Sequence, residues 1–261
     1  MNGLYAATWA EILKLKKSKM LILTLLGFSG IAILMALMVL LSRYPELVAN
    51  SAAATSKASF FNNNWTSYFQ LLIQIILTMG TIGFGFISSW IFGREYTDHV
   101  IKDILALPVN RLTIVSSKFI VIIIWSLLLS LTLFVSGLLS GLIINIPDWS
   151  AQISYHYFIT LIESSFLTVM LCTPVAFIAS FSRGYLAPLA YVIFTLIITN
   201  IVVIGTPSVT PYIPWAIPAL VSGLVGPNLP QIGTSSYFIL IFTFILGLVG
   251  TLAWWRFADQ N

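Results

Sequence analysis

Charged side chains are scarce in this sequence. Its 261 residues include 12 Lys and Arg and 8 Asp and Glu, which is 8%, whereas an average soluble domain is about 25% charged. A soluble globular protein of this length could not cover its surface with so few charges. Neither intrinsic disorder nor a coiled coil fits a composition that is 59% hydrophobic, with a mean hydropathy of +0.99. The composition therefore indicates a polytopic membrane protein, provided that the apolar residues occur in runs of about 20.

The residues that usually carry chemistry are also few. The single cysteine, Cys172, excludes an intrachain disulfide and a multi-cysteine metal site. The sequence contains neither a G-x-x-x-x-G-K-[ST] phosphate loop nor an H-E-x-x-H zinc motif. His99 and His156 fall at opposite membrane faces, so neither can activate a serine within the bilayer. We therefore expect no catalytic residue, no metal site and no cofactor bound by this chain itself.

Apolar runs make up most of the chain, which we predict to be one all-α transmembrane domain over residues 1–261. As helices, six of these runs are long enough to cross about 30 Å of hydrocarbon. Their continuous apolar character contradicts the alternating pattern of a β-barrel. The first exceeds the 7–15 residues of a signal-peptide core, which favours a retained span. The six predicted spans are Met20–Leu41, Tyr68–Phe92, Phe119–Ile144, Tyr157–Phe181, Tyr185–Ile204 and Tyr237–Trp255.

The positive charges predict the orientation. If the N-terminus is cytoplasmic, the outer segments contain only Arg43 and Lys57 of the 12 Lys and Arg. This bias places both termini inside, and it explains the net charge of +4 without a nucleic-acid partner. The other ten, all in inner segments, are Lys14, Lys16, Lys17, Lys19, Arg94, Lys102, Arg111, Lys118, Arg183 and Arg256.

The N-terminal tail, residues 1–19, has an amphipathic helical pattern. Tyr5, Trp9, Ile12 and Leu13 recur at helical spacing, while the charged residues of the tail lie elsewhere on the helical wheel. An interfacial Trp with nearby lysines is typical of a helix that lies on an anionic membrane surface. We expect this helix to contact membrane lipid at the inner face.

The inner segment Gly93–Lys118 is the most charged part of the chain. Its pattern predicts one helix over Glu95–Leu105, which ends before Pro108. One face of that helix is aliphatic. Charge concentrated here, in a chain otherwise so poor in it, favours a docking surface over a merely solvated helix. The charged face comprises Glu95, Asp98, His99, Lys102 and Asp103.

The outer segment Gly205–Ser236 contains no charge and six prolines. Prolines prevent one continuous helix, and a freely solvated loop would be expected to carry charge. We expect Tyr212–Val225 to form one or two short re-entrant helices that pack against the fifth and sixth spans. Tyr212 and Trp215, which favour a membrane interface, would then lie at an outer gate.

Polar residues within the spans are few. Glu163 is the one ionisable side chain there, and such residues are often functional. It keeps open a proton-coupled secondary transporter, although the sequence has no internal repeat and no second intramembrane ionisable group. A third alternative is a membrane scaffold without transport. The polar side chains that would line a substrate cavity are Gln70, Gln74, Thr195, Thr199 and Asn200.

The inner segment is similar to that of ABC-2-type permeases. It contains Phe92-Gly93-Arg94-Glu95-Tyr96, then Lys102-Asp103-Ile104-Leu105 and Pro108-Val109-Asn110-Arg111, and then Lys118. The family has a G-R-E-Y stretch, K-x-L-L, P-V-x-R and a lysine that opens the third span. The tail Glu11–Lys19 also resembles the start of these permeases. In length and composition the chain most resembles the small permeases of bacitracin, lantibiotic-immunity and peptide-toxin exporters.

This resemblance implies a bacterial plasma-membrane permease that pairs with separate ATPase subunits. Two permease copies, identical or related, would bind two ATPases, and ATP and Mg would be held by the ATPases. The inner helix would be the coupling helix seated in a groove of the ATPase, with the acid Glu95 at its head. The coupling residues implied by the match are Arg94, Glu95, Lys102, Pro108 and Arg111, together with Asp98, His99 and Asp103 on the same predicted surface.

Overall fold

A computed structural model describes residues 2–43, 63–105, 108–224 and 230–257 of the chain, except for the side chains of Asn2, Lys102 and Leu105. Every regular element in these residues is helical. Six helices of the described residues are long and apolar enough to cross a membrane, which confirms an all-α polytopic membrane protein. These spans, numbered first to sixth, are Lys19–Ser42, Trp65–Thr97, Arg111–Ile143, Ala151–Ser182, Leu186–Gly205 and Thr234–Phe257.

The second, third and fourth spans form the middle of the bundle. In the most apolar stretch of each of these three spans, 50–61% of the residues are buried. In the corresponding stretches of the first, fifth and sixth spans only 22% are buried. Close contact between the second and third spans depends on two glycines four residues apart on the third span. A Cβ on Gly137 would lie 2.5 Å from Leu72, and one on Gly141 would lie 2.5 Å from Trp65. The flanking spans leave large apolar surfaces for lipid or for another subunit.

Two spans are interrupted. In the second span a π-helical turn, Ile76–Gly80, lies between regular helices, a feature frequent at functional sites. The fourth span breaks between helices Ala151–Met170 and Thr173–Ser182. Pro174 has no N–H to donate to the carbonyl of Met170, and the hydroxyl of Thr173 lies 3.1 Å from that carbonyl instead.

The sixth span packs against this break. The Thr173 hydroxyl also lies 2.9 Å from the carbonyl oxygen of Phe244. Gly247 faces the same backbone, and a Cβ there would overlap the nitrogen of Pro174. The broken fourth span and the sixth span therefore meet through their backbones.

The inner connection differs from the predicted helix Glu95–Leu105. The second span ends at Thr97 because His99 adopts a left-handed conformation, with φ of 58°. The N–H of His99 donates to the carbonyl of Tyr96, and that of Val100 donates to the carbonyl of Glu95, which is a Schellman motif. A separate short helix, Ile101–Leu105, follows.

The observed inner connection is shorter than the predicted inner segment Gly93–Lys118. Asn110 caps the third span, because its side chain accepts from the N–H of Leu112 at 3.0 Å. Helix then continues from Arg111 through Lys118. Lys118 therefore lies inside the third span, and the true connection extends from Asp98 to Asn110.

The outer segment contains short helices. They are two 3₁₀ turns, Pro207–Tyr212 and Pro214–Ala216, and the helix Ile217–Val221. Ile217 belongs to an apolar cluster with Leu171 and Leu240. Leu240 lies about 9 Å along the sixth span from its start, so this segment reaches inward between the spans and also contacts the fourth. Val225 lies outside the described residues.

Candidate functional site

Four charged side chains meet at the inner end of the bundle. Lys118 Nζ lies 2.6 Å from Oε1 of Glu95 and 3.5 Å from Oε1 of Glu11. Lys14 Nζ lies 2.6 Å from Oε1 of Glu11 and 3.2 Å from Oε1 of Glu95. With two carboxylates and two ammonium groups, the cluster has a net charge of zero. This charge network, Glu11, Lys14, Glu95 and Lys118, joins the N-terminal helix Asn2–Lys16 to the second and third spans.

The central pair of the network is excluded from solvent. The side chain of Lys118 is 0% exposed and that of Glu95 is 4% exposed. The Lys118 ammonium also donates to the carbonyl of Ile91 at 3.4 Å and lies within 6 Å of the ring centres of Phe92 and Trp255. Charges buried in this way depend on their partners, because an unpaired buried charge is costly.

The network holds the two residues of the N-terminal helix in their charged forms. Burial opposes ionisation of Glu11, but the ammonium groups of Lys118 and Lys14 outweigh it and lower its pKa from the ordinary 4.5. Burial also disfavours charge on Lys14, yet Glu11 and Glu95 outweigh it and raise its pKa above 10.5. The contribution of Glu11 to stability is therefore present above pH 4.5 and is lost below it. That of Lys14 is present below pH 10.5 and is lost as the pH rises further.

The exposed face of the N-terminal helix is mainly apolar. Tyr5, Trp9 and Leu13 are 73%, 48% and 40% exposed, whereas Leu15 is buried against the bundle beside the charge network. Glu11 and Lys14 thus face protein, whereas Trp9, with the exposed Lys16 ammonium over its ring, is free to meet a membrane surface.

Trp255 connects the fourth and sixth spans to the charge network. It belongs to the sixth span, is fully buried and lies beside Lys118. The indole N–H of Trp255 donates to Oγ of Ser180 in the fourth span at 3.0 Å. Arg111 at the start of the third span donates to the carbonyl of Trp255 at 3.2 Å. A displacement of any one of these helix ends must therefore disturb the others.

The G-R-E-Y stretch has a distinct contact for each residue. A Cβ on Gly93 would lie 2.9 Å from the carbonyl oxygen of Gly184, so only glycine permits this approach to the turn between the fourth and fifth spans. Arg94 lies 3.5 Å from Asp98 and over the ring of Trp90. Glu95 enters the charge network, and Tyr96 packs edge-on against Trp255.

The predicted docking residues differ in their exposure. Asp98, His99, Asp103 and Pro108 are exposed on the inner connection. Glu95, predicted to lie on the same docking face, is instead buried because Lys118 and Lys14 neutralise it. Arg94 and Arg111 are partly buried and bonded within the chain, and the side chain of Lys102 lies outside the described residues.

The predicted cavity residues also separate. Thr195 and Thr199 are 6% and 9% exposed and donate to carbonyls of their own helix, so they reach no free surface of the chain. Gln70 is partly buried and donates to the hydroxyl of Tyr157 at 3.3 Å. Gln74 and Asn200 are exposed.

Glu163 lies at nearly the same depth as Gln74. The hydrogen bond from Gln70 to Tyr157 aligns the second and fourth spans, which run in the same direction. From that bond, Gln74 lies about 6 Å and Glu163 about 9 Å further along. Both side chains are exposed.

Thr78 and Asn200 extend this polar level. Gly85 touches Val192, which aligns the second span with the antiparallel fifth span. Counted outward from that contact, Asn200 is about level with Thr78 in the π-helical turn. These exposed residues lie within about 6 Å of one another in depth, and we call them the polar belt: Gln74, Thr78, Glu163 and Asn200.

Outside the spans, the two predicted gate residues differ in their exposure. Tyr212 is 56% exposed. Trp215 is partly buried, packs against the Ile217 cluster and meets the ring of Tyr191 in the fifth span edge-on at 5.7 Å.

Comparison with known proteins identifies the family of the chain. Residues 7–202 match the family described as ABC-2 family transporter protein. The chain is also similar to the bacitracin transport permease protein BCRB of Bacillus licheniformis, with 30% identity over 190 residues. That similarity covers 72% of this chain and 88% of the relative. Because the family match covers most of the chain and includes the charge network, four complete spans and most of the fifth, the chain belongs to the ABC-2 family of transporters.

Proposed function

We propose that this permease forms the membrane part of an exporter that moves amphipathic peptides or lipid-like compounds out of the cell. Separate ATP-binding-cassette ATPases would supply the energy, and two copies of the chain, or this chain and a related one, would enclose the path. The observation that carries the proposal is the charge network directly beneath an exposed inner connection. A relative named for transport of bacitracin, a peptide, supports the substrate class.

The inner connection is suited to transmit a movement of the ATPase to the transmembrane helices. Its exposed residues Asp98 and His99 follow the second span with no flexible spacer, because Val100 donates to the carbonyl of Glu95. The side chain of Glu95 is in turn bonded to Lys118 and Lys14. A displacement of the connection therefore reaches three helices at once.

The polar belt supports a path between two copies. Polar groups at membrane depth usually face a bundle interior or a water-filled cavity rather than lipid. In one chain the belt is exposed, so a second copy facing it would enclose these groups. Such a path offers few partners to a strongly hydrophilic solute, whereas an amphipathic molecule can enter it from the bilayer.

The outer segment would close this path from outside. Its short helices reach inward between the fourth and sixth spans, with Trp215 held against the fifth. Rotation of these spans would move Tyr212 and Trp215 together, as an outer gate requires.

A proton-coupled secondary transporter is the alternative, and exposed Glu163 would be its proton site. It is disfavoured because Glu163 is the one ionisable residue within the predicted spans, while a proton path usually needs several. The buried charges of the charge network lie instead at the inner face, where an ATPase would bind.

Neutralising the exposed inner connection tests this proposal. We expect the triple variant Asp98→Ala, His99→Ala, Asp103→Ala to remain folded, because these side chains are exposed. Alanine strains the left-handed backbone at His99, and the control described next carries the same strain at Asp148, with φ of 65°. It should bind the cognate ATPase about tenfold more weakly, a loss of about 1.4 kcal/mol. Binding to detergent-solubilised permease and peptide-stimulated ATP hydrolysis in proteoliposomes are the measurements.

The matched control is Asp148→Ala with His156→Ala, which removes exposed residues of the same types at the predicted outer face. It should leave ATPase binding unchanged. Equal binding by the triple variant and the control would overturn the proposed docking surface.

A further inference from the structure

We infer that a cavity at the break in the fourth span binds an acyl chain of a membrane lipid. The cavity has a volume of about 250 Å³ and lies among the second, third, fourth and sixth spans. Its walls include Ser88, Ile122, Val169, Cys172 and Phe244. Its lining shares no residue with the charge network or the polar belt, so this inference does not depend on the proposed transport path.

The chemistry of the walls selects hydrocarbon over water. No charged residue lines the cavity. The hydroxyl of Thr173 and the thiol of Cys172 already bond to backbone carbonyls, and Ser88 Oγ is the lining hydroxyl without a hydrogen-bond partner in the structure. An ordered water needs two to four polar partners, which one hydroxyl does not provide. An apolar cavity of about 150 Å³ can hold benzene, so this larger one has room for a segment of aliphatic chain.

The position of the cavity identifies the source of that chain. Ile123 and Phe166 line it and are 36% and 48% exposed on the bundle surface, so it opens sideways. Phe244, in its wall, lies about 15 Å along the sixth span from Thr234. That depth is the middle of a bilayer, where the surrounding medium consists of lipid acyl chains.

An occupant would support the break in the fourth span. Met170 lines the cavity and also packs against the Ile217 cluster of the outer segment. The bound acyl chain and the outer segment therefore contact the same break, and the acyl chain would stabilise the interrupted form of the span.

Photo-crosslinking tests this inference. The permease would be reconstituted with a phosphatidylcholine that carries a diazirine in the middle of one acyl chain, irradiated and mapped by mass spectrometry. We expect adducts on cavity residues such as Ile122 and Phe166. Val169→Trp, which fills the cavity, should reduce these adducts at least tenfold. Ile159→Trp, at an exposed position of the same helix, should leave them unchanged.

A second variant separates filling from misfolding. Ser88→Leu adds hydrocarbon to the cavity and removes the unpartnered hydroxyl, so it should reduce the adducts while the thermal midpoint in detergent stays equal or rises. Undiminished adducts in both filling variants, or adducts no more frequent than at exposed Ile245, would overturn the inference. Loss of the adducts when unlabelled bacitracin is added would also overturn it, since the cavity would then belong to a peptide.

Discussion

Replacing Lys118 by methionine is expected to destabilise the inner end of the bundle by about 3–5 kcal/mol, the range measured when one partner of a buried ion pair is removed. The variant would leave Glu95 and Glu11 buried with Lys14 as their remaining counter-charge. We expect a lower thermal midpoint in detergent and less protein in the membrane. Fluorescence-detected size-exclusion chromatography after heating measures both.

Two further variants distinguish pairing from the simple loss of a positive charge. Lys17→Met removes an exposed lysine from the same inner end of the bundle and should change the thermal midpoint little. The double variant Glu95→Gln with Lys118→Met should recover most of the stability, because replacement of both partners of a buried pair is often neutral. Glu11 and Lys14 would remain paired in it at 2.6 Å. If Lys118→Met proved as stable as Lys17→Met, the charge network would have no structural role.

Replacing Gly247 by alanine is expected to separate the fourth and sixth spans. The added Cβ would overlap the nitrogen of Pro174 and lie 2.5 Å from the carbonyl carbon of Thr173. These are backbone atoms, which cannot move aside as the end of a side chain can. We expect a destabilisation of about 1–3 kcal/mol, as for other overpacked contacts, visible in the thermal midpoint.

The control for this substitution is Gly30→Ala in the first span. A Cβ on Gly30 meets nothing within 4 Å, and alanine is the better helix former by about 1 kcal/mol. Gly30→Ala should therefore be neutral or slightly stabilising. A normal midpoint for Gly247→Ala would show that the two spans are not in backbone contact.

The spans were predictable because they depend on local properties. A run of about 20 apolar residues is read from the sequence directly, and each predicted run overlaps an observed span. The break in the fourth span also had a local signal, Pro174, which the prediction of one helix over Tyr157–Phe181 did not use. The π-helical turn at Ile76–Gly80 has no comparable signal in its residues.

The candidate site was less predictable because its contacts are distant in sequence. Glu95 is 23 residues from Lys118 and 81 from Lys14, and no periodicity reveals such partners. On a helical wheel Glu95 shares a face with Asp98, but the helix ends at Thr97, and the structure buries Glu95 while Asp98 stays exposed beyond the helix end. The resemblance to ABC-2-type permeases identified the family, and the structure shows which residues of the motif pack inward and which remain exposed.

Uptake of fluorescent bacitracin into inside-out proteoliposomes tests the central claim most directly, that an ATPase drives export through this permease. The account predicts uptake that requires ATP, the permease and its ATPase together, and that is lost in the variant Asp98→Ala, His99→Ala, Asp103→Ala. Uptake driven by an imposed proton gradient without ATP, and abolished by Glu163→Gln, would contradict the account and identify a secondary transporter instead.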